Sequence, residues 1–235
     1  MANVATNLET GVVLPYAVLA NTQNHVLNIA SSRLMFIDMA GASALRTIQL
    51  PSTGVKAGER FRLEVTGATD SFYVRLNASN GTQIDLIRGR GFIEVMATSD
   101  NPAGAGSWYI LDLNENYTFV YTSGGFSDTR EVNRSGDGTY SLKFAMSHSL
   151  FAVTMTQVGT SGIYRTGGVT YQFGTTVPGT RLRCQCGGSD NGGTDIAANP
   201  STITATTVRI VFTANSTQAQ TAYGFQFIVF GNWRA

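Results

Sequence analysis

The chain has 235 residues, 43% of them hydrophobic and only 13% charged, with a net charge of +1. That apolar fraction supports a packed core, and the aromatic content separates the chain from disordered sequences, which are charged and poor in aromatics. Near-neutrality removes the electrostatic basis for nucleic acid or an anionic membrane as partner. No run approaches the roughly 18 apolar residues of a membrane-spanning helix.

The N-terminal stretch MANVATNLETGVVLPYAVLA lacks a basic region and contains Glu9, so it does not read as a secretory signal. Residues 1–23 fit neither of the units that follow and are expected to form an extended arm or attachment segment. Asn-x-Ser/Thr triplets at Asn77, Asn80, Asn116, Asn133 and Asn215 then read as chance features of a polar, turn-rich chain.

Beyond the arm nearly every candidate element has period two. SSRLMFIDMAGASAL (31–45) comes nearest to an amphipathic helix, but Gly41 interrupts it and RLMFID reads equally as a strand. FRLEVT (61–66) alternates Phe61, Leu63 and Val65 with Arg62, Glu64 and Thr66. FYVRLNA (72–78), IDLI (84–87), GFIEVMA (91–97), WYILDL (108–113) and YTFVYT (117–122) continue the pattern. YSLKFAM (140–146), FAVTMTQV (151–158), TVRIVFTA (207–214) and GFQFIVF (224–230) complete it. Alternation carried by β-branched and aromatic residues marks half-buried strands. Asn80-Gly81 between two such runs is a hairpin signal, and SGDG (135–138) before TYSLKF is placed in the same manner.

The expected fold is all-β, with two β-sandwich or barrel-like domains in tandem. A seam at DLNENY (112–117) separates a unit at 24–113 from a second at 114–235. The second has longer, glycine-rich loops at 122–138, 159–168 and 187–201. Loops of that length usually carry function.

Little in the sequence carries chemistry. His25 and His148 are the only histidines, and the SHS at 147–149 sets Ser beside His without establishing a nucleophile and base. There is no G-x-S-x-G elbow and no phosphate-binding loop. SDNGGTD (189–195) offers Asp190, Asn191 and Asp195 but lacks the spacing and terminal Glu of a calcium loop. Cys184 and Cys186 in RLRCQC would leave one strand face about 6–7 Å apart, too far for an unstrained bridge, and read as half-buried thiols. No catalytic residue, metal or cofactor is expected, and the chain does not read as an enzyme. The candidate contact residues lie on loops: Tyr164 and Arg165 in SGIYRTGG, Phe126 with Arg130 in 122–138, and Asp190 with Asn191. Tyr and Arg are favoured at recognition hot spots, although Tyr164 also suits a short packed strand.

Two segments carry a resemblance. NHVLNIASSRLMFIDMAGASALRTIQLPSTGVKAGERFRLEV, its following hairpin and the closing GSWYILDL resemble a β module of tailed-bacteriophage fibres and tail proteins. GTYSLKFAMSHSLFAVTMTQVG, ITATTVRIVFTANS and YGFQFIVFGNW are similar to the tip domains that end phage tail fibres. The final strand departs from the usual tip pattern: Phe225-Gln226-Phe227 stands where a tryptophan is common, and Trp233 follows Gly231. The resemblance implies a homotrimeric, non-enzymatic virion protein, assembled in the host cytoplasm. It would be a tail-fibre or receptor-binding tip for host-surface attachment, or alternatively a structural capsid decoration or head-fibre protein. Implied partners are other virion proteins, through the N-terminal arm, and a bacterial surface polysaccharide or outer-membrane protein. Neither nucleic-acid binding nor membrane insertion is implied. A depolymerase tailspike fits less well, because those enzymes use a long parallel β-helix and these strands read as hairpin-linked.

The last run, AYGFQFIVFGNWRA (222–235), is apolar on both strand faces. Such a strand is expected in the middle of a sheet, with Trp233 anchoring the chain end.

Overall fold

A computed structural model describes residues 3–6, 13–69, 71–123, 126–146, 156–157, 164–165, 169–179, 182–186, 189–191, 194–214 and 225–234. The described fold is all-β. Apart from one 3₁₀ turn at Ala105–Ser107, its regular elements are strands. No helix among the described residues is long and apolar enough to cross a membrane. The chain divides into two compact units, Met1–Thr118 with Arg134–Asp137, and Phe119–Asn133 with Gly138–Ala235.

The first unit holds β1 (Asn3–Thr6), β2 (Val13–Leu19), β3 (His25–Val26), β4 (Leu34–Asp38), β5 (Arg46–Gln49), β6 (Arg60–Thr66), β7 (Val74–Asn77), β8 (Gln83–Ile87), β9 (Arg90–Ala97) and the start of β10 (Trp108–Ser123). Its strands fall into two sheets, β1-β2-β4-β6-β9-β10 and β3-β5-β7-β8. From β2 to β7 the chain alternates between them, so each strand lands beside the one two earlier. The pairs β2/β4, β4/β6, β3/β5 and β5/β7 are all parallel. This is a short parallel coil, not the run of hairpins expected from the sequence. Period-two patterning reports which face is buried and is silent about whether the next strand returns in the same sheet or crosses to another. RLMFID is the strand β4, and the expected arm contains β1 and β2, with β2 hydrogen-bonded to β4.

The Asn80-Gly81 hairpin is present between β7 and β8, which pair antiparallel. The Gly81 amide donates to the Ala78 carbonyl at 2.9 Å, and Gly81 takes φ +85, the left-handed position that completes a three-residue loop. Both sheets bury one face. Met35 and Ile37 of β4, Leu63 and Val65 of β6, and Ile93 and Val95 of β9 are buried in the first sheet, as are Ile48, Leu76 and Ile87 in the second. Phe61 meets Trp108 edge-on at 5.7 Å between ring centres. Each such side chain contributes about 1.5–3 kcal/mol on leaving water.

The second unit continues β10 and adds β11 (Phe126–Arg134), β12 (Thr139–Met146), β13 (Thr156–Gln157), β14 (Tyr164–Arg165), β15 (Val169–Gln172), β16 (Arg183–Cys186), β17 (Ser189–Asn191), β18 (Thr194–Ile203), β19 (Thr207–Ala214) and β20 (Phe225–Asn232). One sheet runs β10-β11-β12-β20-β16, the other β13-β14-β19-β18-β17 with β15 also on β19. Phe144 of β12 stacks on Phe227 of β20 at 5.1 Å and lies 6.2 Å from Phe173. Strand β20 is central, paired with β12 on one side and β16 on the other. Cys184 is a half-buried thiol in β16 opposite Val229, and Cys186 stands opposite Phe227.

Two of the expected loops are largely strand. In β11, FSDTREVNR, the inward positions carry charge: Arg130 is 3% exposed and its guanidinium lies between Tyr121 at 3.9 Å and Phe144 at 4.9 Å. Arg130 Nε donates to both oxygens of Asp128 at 3.1 Å, and Nη1 donates to the Gln172 carbonyl at 2.5 Å. A buried ion pair stands where alternation calls for apolar residues, and so hides the strand. In β18, TDIAANPSTI, small residues and Pro200 give no pattern, yet the strand pairs with β19 from Ile196 to Ile203. Its register shifts between Pro200 and Thr202, where proline has no N–H to give the ladder.

Candidate functional site

The outer face of β4, β6, β9 and β10 is built unlike an ordinary solvated sheet face. Alternation turns Met35, Leu63, Ile93 and Leu113 inward, which turns Phe36, Glu64, Phe92 and Asn114 outward. Register lines the outward set up in one row: Phe36 opposite Glu64, Glu64 opposite Phe92, Phe92 opposite Asn114. On the far side of Phe36 the row continues to Val18 of β2. Two residues further along, Arg90 is opposite Asn116.

These residues, with Thr66, line a groove of about 640 Å³. Arg90 and Asn116 also line an adjoining hollow of about 310 Å³, together with Gly67 and Gly89. Gly89 has φ +72, and a Cβ there would stand 2.2 Å from the Asn116 carbonyl oxygen. Glycine alone lets the chain pass this close to β10. The combined size is that of an ordinary small-ligand site.

Charges on and around this face are mostly matched. Arg62 Nε donates to Glu64 at 2.7 Å, its Nη1 is 3.6 Å from Glu94, and its guanidinium lies 3.8 Å from the Phe92 ring centre. Arg60 approaches the other Glu94 oxygen at 3.6 Å. Exposed Arg90 has no ion pair among the described residues. Tyr16 of β2 meets Phe36 edge-on at 5.1 Å and extends the aromatic surface.

Behind this face lies a buried charged cluster. Glu115, 1% exposed, accepts from Arg134 Nε and the Arg88 amide. Arg134 Nη1 also donates to Asp85 at 3.1 Å, and its Nη2 donates to the Leu86 carbonyl at 2.6 Å. Burial pushes the Glu115 carboxyl above the ordinary carboxylate range, outweighing the Arg134 charge beside it. Burial acts to pull the Arg134 guanidinium down, but Glu115 and Asp85 outweigh it and hold the group charged. All three Arg134 nitrogens are engaged with a carboxylate or a strand carbonyl, so the cluster reads as a clamp.

The residues singled out from sequence do not gather in the groove. Arg130 is buried in β11, where packing and the Asp128 pair occupy it, not on a contact loop. Phe126 opens the same strand. Tyr164 and Arg165 form β14, paired with β13 and with Ala214 and Thr213 of β19. Asp190 and Asn191 lie in β17, opposite Asp195 and Thr194. The side-chain surroundings of Phe126, Tyr164, Arg165, Asp190 and Asn191 lie outside the described residues, as does His148. His25 Nε2 donates to the Ala20 carbonyl at 2.8 Å. Among the described residues, no three His, Cys, Asp or Glu side chains gather as a metal site.

A usable signal for the groove was present in the sequence. RLMFID and GFIEVMA place Phe36 and Phe92 on the side of the strand that alternation assigns to water. Compared with models of known protein families and with curated protein sequences, the chain matches none. What the fold and the groove define together is an all-β protein with a side-chain-lined groove on the outer face of a sheet.

Proposed function

We propose that the chain is a non-enzymatic attachment protein of a tailed-phage virion, a tail-fibre or receptor-binding tip that works as a homotrimer whose chains each carry two all-β units. The observation that carries this reading is the outer groove of the first unit. Aromatic rings on β4 and β9, a carboxylate on β6, one unmatched guanidinium on β9 and amides on β10 stand there, and β4, β6 and β9 are each hydrogen-bonded on both sides. A rigid scaffold presenting side chains is suited to recognition. The two sequence segments that resemble phage fibre modules support the same reading. Three copies per fibre would raise avidity without any new contact.

The test is adsorption. Purified full-length chain is expected to form a trimer by light scattering, to bind the bacteria on which the virion grows, and to block adsorption in excess. A monomer that neither binds nor blocks overturns the reading. Immunogold labelling separates tail from capsid attachment. Deleting residues 1–23 is a poor alternative, since it would strip β2 from β4.

A further inference from the structure

We propose that the outer groove of the first unit is a saccharide site, and that its ligand carries an acidic group bound by Arg90. This rests on the attachment reading above and names the class of receptor that the groove would take.

The strands beneath limit what can bind. β4 lies between β2 and β6, β6 between β4 and β9, and β9 between β6 and β10. The groove strands therefore offer no open backbone edge, and a peptide lying in the groove cannot be held by strand addition. Recognition must come from side chains alone.

Those side chains suit a sugar. The row Phe36, Glu64, Phe92, Asn114 crosses four strands and is about 14 Å long at the usual strand spacing. Arg90 and Asn116 lie about 6–7 Å further along their strands. Aromatic faces carry partial negative charge and attract the C–H faces of a pyranose. Asn114, Asn116 and the Glu64 carboxylate line the same groove and are the groups that would meet its hydroxyls. The Phe36 ring and the hydrogen-bonding groups beside it give a hydroxylated, two-faced ligand both of its contacts, whereas the Phe92 ring already carries the Arg62 guanidinium against it.

The charge count sharpens the class. Arg62 is spent on Glu64, Glu94 and Phe92, and Arg60 is turned to Glu94. Asp38, beyond Thr66, accepts from the Ala40 amide at 3.0 Å and the Thr66 hydroxyl at 3.2 Å, and lines neither cavity. Arg90 is left as the one lining cation with no carboxylate partner among the described residues. One unmatched cation suits one carboxylate on a sugar. A nucleic acid needs many phosphate contacts and is a poor match.

The probe is an array of oligosaccharides containing uronic or sialic acid, each beside its carboxyl-reduced form, titrated with the full-length chain. Acidic members are expected to bind, with reduced forms about tenfold weaker, and with binding that weakens as salt rises. Arg90→Gln is expected to abolish the preference for the acidic form, and Phe36→Ala to remove binding to both, each with unchanged solution mass. Should Phe36→Ala fail to fold, the exposed Arg90→Gln carries the test. The proposal is overturned if no acidic member binds, if reduced forms bind equally, or if Arg90→Gln keeps the preference. It is overturned also if Phe36→Ala lowers the oligomeric mass, since a second copy then covers the face. Bacterial binding that survives both variants removes this site and leaves the attachment reading standing. Array binding without bacterial binding does the reverse.

Discussion

The guanidinium of Arg62 lies 3.8 Å from the centre of the Phe92 ring while its Nε donates to Glu64 at 2.7 Å. One side chain thus covers an outward-facing aromatic ring and neutralises the carboxylate beside it. Arg62→Ala is expected to lower stability by only about 1 kcal/mol, because the group is about one-third exposed and water screens the pair. A double-mutant cycle with Glu64→Gln in urea checks this, and a coupling well above that size would contradict it.

Arg130 is the opposite case. It is buried between Tyr121 and Phe144 and paired with Asp128, whose side chain is 8% exposed. Arg130→Ala leaves that carboxylate buried alone and is expected to cost about 3–5 kcal/mol. Adding Asp128→Ala should recover part of the loss. Arg130→Lys should not rescue it, since an ammonium lacks the planar fork that fits between rings and reaches the Gln172 carbonyl. Urea denaturation of the three variants reads all of this.

The raised Glu115 carboxyl makes a signed pH prediction. Its folded value lies above its ordinary 4.5, so its share of stability is fully present below 4.5 and is lost as pH rises through the raised value. Glu115→Gln keeps the acceptor oxygen for the Arg88 amide or Arg134 and removes that titration. The difference in stability between wild type and variant should therefore shift against wild type as pH rises through this window. A difference that shifts toward wild type would show that the folded state favours the ionised carboxylate. The carboxyls of Glu59 and Asp100, held low first by backbone amides, are common to both proteins and cancel in the comparison.

At the chain end the tie is backbone. The Trp233 amide donates to the Gly138 carbonyl, and the Asn232 amide to Pro178, both at 3.0 Å. The Trp233 ring is half-buried, with Arg234 over it at 4.8 Å, whereas Phe227 and Val229 are fully buried. Trp233→Ala keeps the amide and is expected to cost about 1 kcal/mol or less, and Phe227→Ala about 3–5 kcal/mol. Thermal melts of the two variants should differ widely in that order. The main chain of Trp233 thus shares in holding the end that the sequence assigns to this residue.

Much of the strand pattern was legible. Phe61, Leu63 and Val65 alternate because one sheet face is buried, and β20 is paired on both sides as its apolar run leads one to expect, with Phe227 and Val229 in the core and Ile228 and Phe230 half-buried on the other face. Topology was not legible, because β4 and β6 lie side by side only through a crossing to β5 that leaves no trace in period two. β11 was hidden because Asp128 and Arg130 satisfy each other in the interior, and β18 because small residues and Pro200 carry no alternation. The groove needed register. Phe36, Glu64, Phe92 and Asn114 lie up to 78 positions apart in sequence and become one row only when four strands pair.

The most direct measurement is the binding of labelled full-length chain to the bacteria on which the virion grows, in competition with intact virions. Saturable binding that excludes the virions is the expected result. An absence of binding at concentrations where the chain is folded and oligomeric would contradict the attachment function.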